Sequence, residues 1–107
     1  MKIQVEVPDE TVIDALNAAF EYGSTYWCEY KSGRIRNTVL EQDGVIKFRD
    51  LEEEKQGQFE YSNIVSGLTM MAKNSPSHFA ALVGYNADAI TYDVLLQYCI
   101  FSQIIYG

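Results

Sequence analysis

Apolar and polar residues alternate over residues 2–7, with Ile3, Val5 and Val7 on one side and Lys2, Gln4 and Glu6 on the other, the period of a strand covered on one face. Pro8 ends that pattern. Asp9 then stands as the cap of a helix in which Val12, Ile13, Leu16, Ala19 and Phe20 recur at three- and four-residue spacing, while Glu10, Asp14, Asn17 and Glu21 take the wet side. Gly23 is its expected stop. Past Ser24 the helical period is lost and rings dominate, which predicts a strand over 25–30 and a turn at Lys31-Ser32-Gly33 into a second extended run over 35–40. Asp43-Gly44 is a hairpin signal between that run and Val45, Ile46, Lys47 and Phe48. A further reversal is expected near Lys55-Gln56-Gly57, with the chain returning through Phe59 and Tyr61.

The last third reads as helical. Ser62 is the expected cap of a helix using Ile64, Val65, Leu68, Met71 and Ala72, and Ser75-Pro76 closes it while opening a short successor through Phe79, Leu82 and Val83, ended by Gly84. Asp88 caps a final helix whose Ile90, Val94, Leu95, Tyr98, Phe101 and Ile105 form a stripe that Cys99, Ile100 and Ile104 widen, the mark of a central element or an oligomer contact. The β-branched ending at Ile104, Ile105 and Tyr106 leaves a strand open there. These elements predict a single compact α+β domain over 1–107, a mainly antiparallel sheet with three to four helices packed on one face.

Composition agrees with one ordinary globular unit: 107 residues, 48% hydrophobic and 21% charged. No apolar run reaches the roughly 20 residues that span a bilayer, because Asp93 and Gln97 interrupt the approach to the C-terminal apolar segment. The alternating N-terminus lacks a signal-peptide core, so a cytoplasmic protein is expected. Cys28 and Cys99 are too few and too far apart for a disulfide framework and read as buried free thiols. With His78 as the one histidine, no zinc set, catalytic triad or other metal site is spelled out, and no cofactor is expected. The seven glycines are too widely spaced for either common phosphate-binding fingerprint.

Candidate chemistry is concentrated in one stretch. Tyr22, Tyr26, Trp27 and Tyr30 supply rings, Lys31, Arg34 and Arg36 supply cations, and Gly23, Ser24 and Thr25 allow close backbone approach, a combination suited to stacking a base and neutralising its phosphates. The competing reading puts Trp27 and Tyr30 in the core and the cations on a wet strand face. A second feature is the acidic set Glu41, Asp43, Asp50, Glu52, Glu53, Glu54 and Glu60 in a chain of net charge −7, which suits contact with a basic groove and disfavours direct nucleic-acid binding.

The string Ala19-Phe20-Glu21-Tyr22-Gly23-Ser24-Thr25-Tyr26-Trp27, with Asp93-Val94-Leu95-Leu96-Gln97-Tyr98-Cys99 and Tyr106-Gly107 near the other end, resembles small uncharacterised proteins of bacteriophages and prophages. That family carries no established catalytic motif, so the resemblance implies a setting, a gene product made inside a bacterial host, and no site residue. Many small acidic phage proteins counter host immunity by sequestering nucleotide signals or by plugging a defence complex. The leading expectation is a non-enzymatic antagonist of bacterial immunity that holds a nucleotide-like signal between Tyr22, Tyr26, Trp27, Tyr30, Lys31, Arg34 and Arg36. The alternatives are an acidic inhibitor of a host defence protein, of the anti-CRISPR or nucleic-acid-mimic kind, and an enzyme acting on a small phosphoester; homo-oligomerisation is open in each.

Overall fold

A computed structural model describes residues 5–107. The chain runs through α1 (Asp9–Ala18), a π-helical turn (Ala19–Gly23), β1 (Cys28–Ser32), α2 (Ile35–Leu40), β2 (Val45–Asp50), β3 (Lys55–Glu60), α3 (Tyr61–Asn74), α4 (Pro76–Val83) and α5 (Ala89–Phe101). The strands form one antiparallel sheet in the order β1-β2-β3, so the molecule is the expected single α+β domain. Of the strand predicted over 2–7, residues 1–4 lie outside the described residues and 5–7 are irregular. Among the described residues, no helix is long and apolar enough to cross a membrane.

Alternation along β2 sets the sheet's two faces. Ile46, Phe48 and Asp50 point into the core while Val45, Lys47 and Arg49 point out, and on β3 Phe59 joins the inner set. Phe48 pairs with Gly57, where a β-carbon would come within 2.6 Å of the Phe48 ring, so the missing side chain is what lets that ring lie across the edge strand.

Four local predictions are corrected in this region. The run over 35–40 is a helix: Ile35, Thr38 and Val39 are buried at helical spacing, and a six-residue segment is too short for β-branched content to outweigh packing against α1. Gly44, at φ 76°, does turn the chain, but it joins α2 to β2 instead of closing a hairpin. The true hairpin is β2–β3, and its reversal occupies residues 51–54, just ahead of the expected position at Lys55-Gln56-Gly57. The strand predicted over 25–30 begins at Cys28 because a turn at Ser24 consumes the first residues.

The helical pattern is closer to expectation. Val12, Ile13, Ala15 and Leu16 are the buried face of α1, although the helix is capped by Pro8, with Asp9 inside the first turn. The cap of α3 is Glu60, whose backbone N–H donates to Asn63 Oδ1 at 2.9 Å, two residues ahead of the expected Ser62. Ser75-Pro76 separates α3 from α4 as predicted, and Asp88 Oδ1 accepts from Thr91 N at 3.0 Å to start α5. Residues 93–99 of α5 are all buried, so this helix is the centre of the fold; it ends at Ser102 in the left-handed region, and residues 102–107 form neither helix nor strand.

α3 crosses α5 at Gly67, where a β-carbon would lie 2.8 Å from both Cα and N of Cys99. Backbone cannot yield as a flexible side chain would. Gly67→Ala is therefore expected to lower stability by about 1 to 3 kcal/mol through overpacking, whereas Ser66→Ala on the exposed face stays within about 0.5 kcal/mol. Parallel thermal and urea melts of the two variants measure this.

Candidate functional site

The segment richest in candidate chemistry is steered by the π-helical turn. Ser24 N reaches back to Ala19 O at 2.7 Å, one residue further than α-helical bonding, and Gly23 is pressed against α5, where a β-carbon would sit 2.8 Å from Ala89 O. Trp27 N and Cys28 N both donate to Ser24 O, at 3.0 and 2.8 Å. This tight turn drives the side chains of Ser24 and Trp27 inward towards α5.

They meet Asp93. Its Oδ1 accepts from Ser24 Oγ at 2.7 Å and from Trp27 Nε1 at 2.7 Å, and its Oδ2 accepts from the Tyr26 hydroxyl at 2.5 Å and from Gln97 Nε2 at 3.1 Å. Four donors fill the acceptor capacity of one carboxylate, which is how a side chain only 7% exposed is kept satisfied. All four donors are neutral, and among the described residues no basic side chain forms an ion pair with it.

Gln97 carries the network outward. Its Oε1 accepts from the N–H groups of Ile105 and Tyr106, both at 2.8 Å, and its Nε2 donates to Tyr106 O at 3.1 Å, so one amide side chain ties down residues 102–107 in place of a sheet ladder. The Tyr106 ring packs on Trp27 with centroids 5.0 Å apart, and its hydroxyl donates to Asp50 Oδ2 at 2.8 Å. Asp50 Oδ1 accepts from Glu52 N and Glu53 N at 3.0 and 3.1 Å. A continuous polar chain thus runs from Asp93 to the acidic β2–β3 turn.

Proton affinities follow from this packing. Tyr26 is pushed well above the ordinary tyrosine value, first by partial burial and then by its hydrogen bond to Asp93 and that group's charge. Tyr106 rises to about 12 through desolvation, the Asp50 hydrogen bond and the charges of Asp50, Glu53 and Glu52. Burial lifts the thiols of Cys28 and Cys99 to about 12, helped at Cys28 by Asp50 and Asp93.

The seven residues predicted to line one pocket do not share a cavity. Trp27 is 0% exposed, enclosed by Phe101 and Tyr106, because its N–H has found Asp93 instead of a ligand. Tyr30 packs its edge against Phe20 and its hydroxyl bonds Gly33 O. Lys31 turns to Glu29 at 2.5 Å, on the sheet face away from the helices. Arg34 is exposed ahead of α2, and Arg36 makes a two-pronged pair with Glu10 on α1. Tyr22 and Tyr26 are the two that stay on the surface near α5, Tyr22 against Tyr92 with ring centroids 6.0 Å apart.

A groove of about 450 Å³ opens where Tyr26 and Asp93 meet the tail. Ala89, Ile90, Val94 and Ile104 form its apolar wall, with Gln97, His78 and Tyr106 around it. His78 Nδ1 lies 3.2 Å from Thr91 Oγ1, which itself bonds Asp88, so the histidine packs at a helix start, and Ser75 bonds Tyr98 instead of His78. Among the described residues no three His, Cys, Asp or Glu side chains gather to hold a metal ion. Asp93 and Gln97, read in the sequence only as breaks in an apolar run, are the organising residues of this region, and no local signal in the sequence announced that role. Comparison with known proteins found no matching family, no curated relative and no solved structure of similar fold.

Tyr26, Tyr106, Cys28 and Cys99 all hold their protons more tightly folded than unfolded, so their contribution is complete below their ordinary values of 10.0 and 9.0 and is lost as pH climbs towards 12. Stability measured by urea titration is expected to fall steadily over that window, and a flat profile from pH 9 to 11.5 would contradict these environments. Asp93→Ala strands the donors of Trp27 and Ser24 in the interior and is expected to cost about 3 kcal/mol or more, measured by the same titration, while native Cys28 and Cys99 resist iodoacetamide at pH 8 until the protein unfolds.

Proposed function

We propose that this chain is a non-enzymatic binding protein that presents a fixed acidic tip to a basic surface of a host protein, acting as an antagonist of a bacterial defence complex. The observation that carries the reading is the β2–β3 turn, in which Glu52, Glu53 and Glu54 are exposed on a backbone pinned by Asp50, itself braced by Tyr106. A backbone held in place loses little freedom on docking, so charges carried on it favour association and its specificity more than the same charges on a loose loop. The net charge of −7 adds long-range attraction to a basic partner. The phage setting comes from the resemblance of the Ala19 to Trp27 and Asp93 to Cys99 strings.

Holding a nucleotide would require an open indole with cations converging on it. Trp27 is enclosed and Lys31, Arg34 and Arg36 diverge, two of them into ion pairs with Glu29 and Glu10, so the inhibitor reading uses more of the surface as it stands.

The test is affinity capture from phage-infected bacteria with the native chain and a Glu52→Lys/Glu53→Lys/Glu54→Lys variant, read by native mass spectrometry. The expected result is one basic protein partner, held at least about tenfold more weakly by the variant and with a flattened dependence on salt. An equal yield of the same partner with both proteins, or a retained nucleotide in place of a protein, would overturn the reading.

A further inference from the structure

The groove beside α5 has a charge property that its apolar wall conceals. Asp93 lies at its base as a carboxylate ion-paired with no cation among the described residues, and the groove's lining holds His78 but no Lys or Arg. Tyr26 stands over it with 49% of its surface exposed. Its hydroxyl proton is committed to Asp93 Oδ2, which fixes the ring beside the carboxylate. Ile90, 63% exposed, and Ile104 supply aliphatic surface along the way in.

We infer that this groove receives a single cationic side chain, an arginine or lysine of a protein partner, with its alkyl stem along Ile90, Val94 and Ile104 and its charged head against Tyr26 and above Asp93. An anion would be repelled by a carboxylate that has hydrogen-bond donors but no cation beside it, and a purely aliphatic group would cover the wall without using that charge. A long basic side chain answers both, because its stem is apolar and its head is charged. The four acceptor positions of Asp93 are already filled, so the head is held by the half-exposed Tyr26 ring and the field of the carboxylate behind it. A volume of about 450 Å³ accommodates one such side chain with its water. The natural occupant rests on the reading of a basic protein partner given above; the groove's preference for a cation does not.

The experiment is a titration of the ¹⁵N-labelled protein with N-acetyl-arginine methylamide and, separately, with its neutral isostere N-acetyl-citrulline methylamide, followed by NMR. The arginine compound is expected to shift the amides of Tyr26, Ile90, Val94 and Ile104 in a saturable way, with the citrulline compound weaker by about tenfold. Ile90→Lys, at an exposed position that leaves the core intact, places a competing ammonium at the entrance and is expected to weaken the arginine compound by a similar factor. Equal binding of the two compounds, shifts confined to Glu52, Glu53 and Glu54, or undiminished binding by Ile90→Lys would each overturn the inference. The Glu52→Lys/Glu53→Lys/Glu54→Lys variant separates the two proposals: it should bind the arginine compound normally, so failure of partner capture and failure of the groove give different results.

Discussion

A buried carboxylate satisfied only by neutral donors is the constraint from which the rest of this structure follows. Each donor to Asp93 must arrive with correct geometry, and three of them, Ser24, Tyr26 and Trp27, come from a segment 66 to 69 residues away in sequence. The penalty for leaving any of them unpaired in the interior is what makes the arrangement specific. The π-helical turn and the glycine pressed against α5 have their reason here, since they bring the chain close enough for Ser24, Tyr26 and Trp27 to reach Asp93.

From that point order is passed on by side chains more than by regular structure. Gln97 holds a length of backbone that belongs to no helix or strand, Tyr106 joins it to the sheet, and Asp50 turns the end of β2 into a fixed corner. The acidic corner and the groove therefore sit at opposite ends of one hydrogen-bonded path. Both surfaces invite positive charge, of the kind the proposed basic partner would bring to a chain of net charge −7.

Much of the fold could be read from spacing alone, because α1, α3 and α5 each place apolar residues at helical intervals between strong punctuation such as Pro8, Ser75-Pro76 and Asp88. The segment over 35–40 could not, since β-branched residues argue for a strand while Ile35 and Val39 also satisfy a helix, and only the neighbouring α1 decides between them. The Asp43-Gly44 signal misleads for a related reason: it marks a turn truly but says nothing of what the turn joins. In the candidate site, packing takes groups of the segment that the sequence assigned to a ligand: Ser24, Tyr26 and Trp27 all donate to Asp93. Trp27 is a donor to an internal acceptor, and nothing local to residues 22–36 announces that the acceptor is Asp93. The cations diverge because successive residues of a strand and a short helix point in different directions, a matter of backbone direction that composition does not record.

α5 is made last among these elements, yet it is the helix that the earlier ones surround. While the polypeptide is still leaving the ribosome, the indole and hydroxyl groups of the N-terminal third have no acceptor to settle on, and the hydrophobic flanks of α1 and α3 have nothing to close over. Productive compaction must then wait until α5 has been made, and a chain cut short before α5 would be an open fragment exposed to proteases.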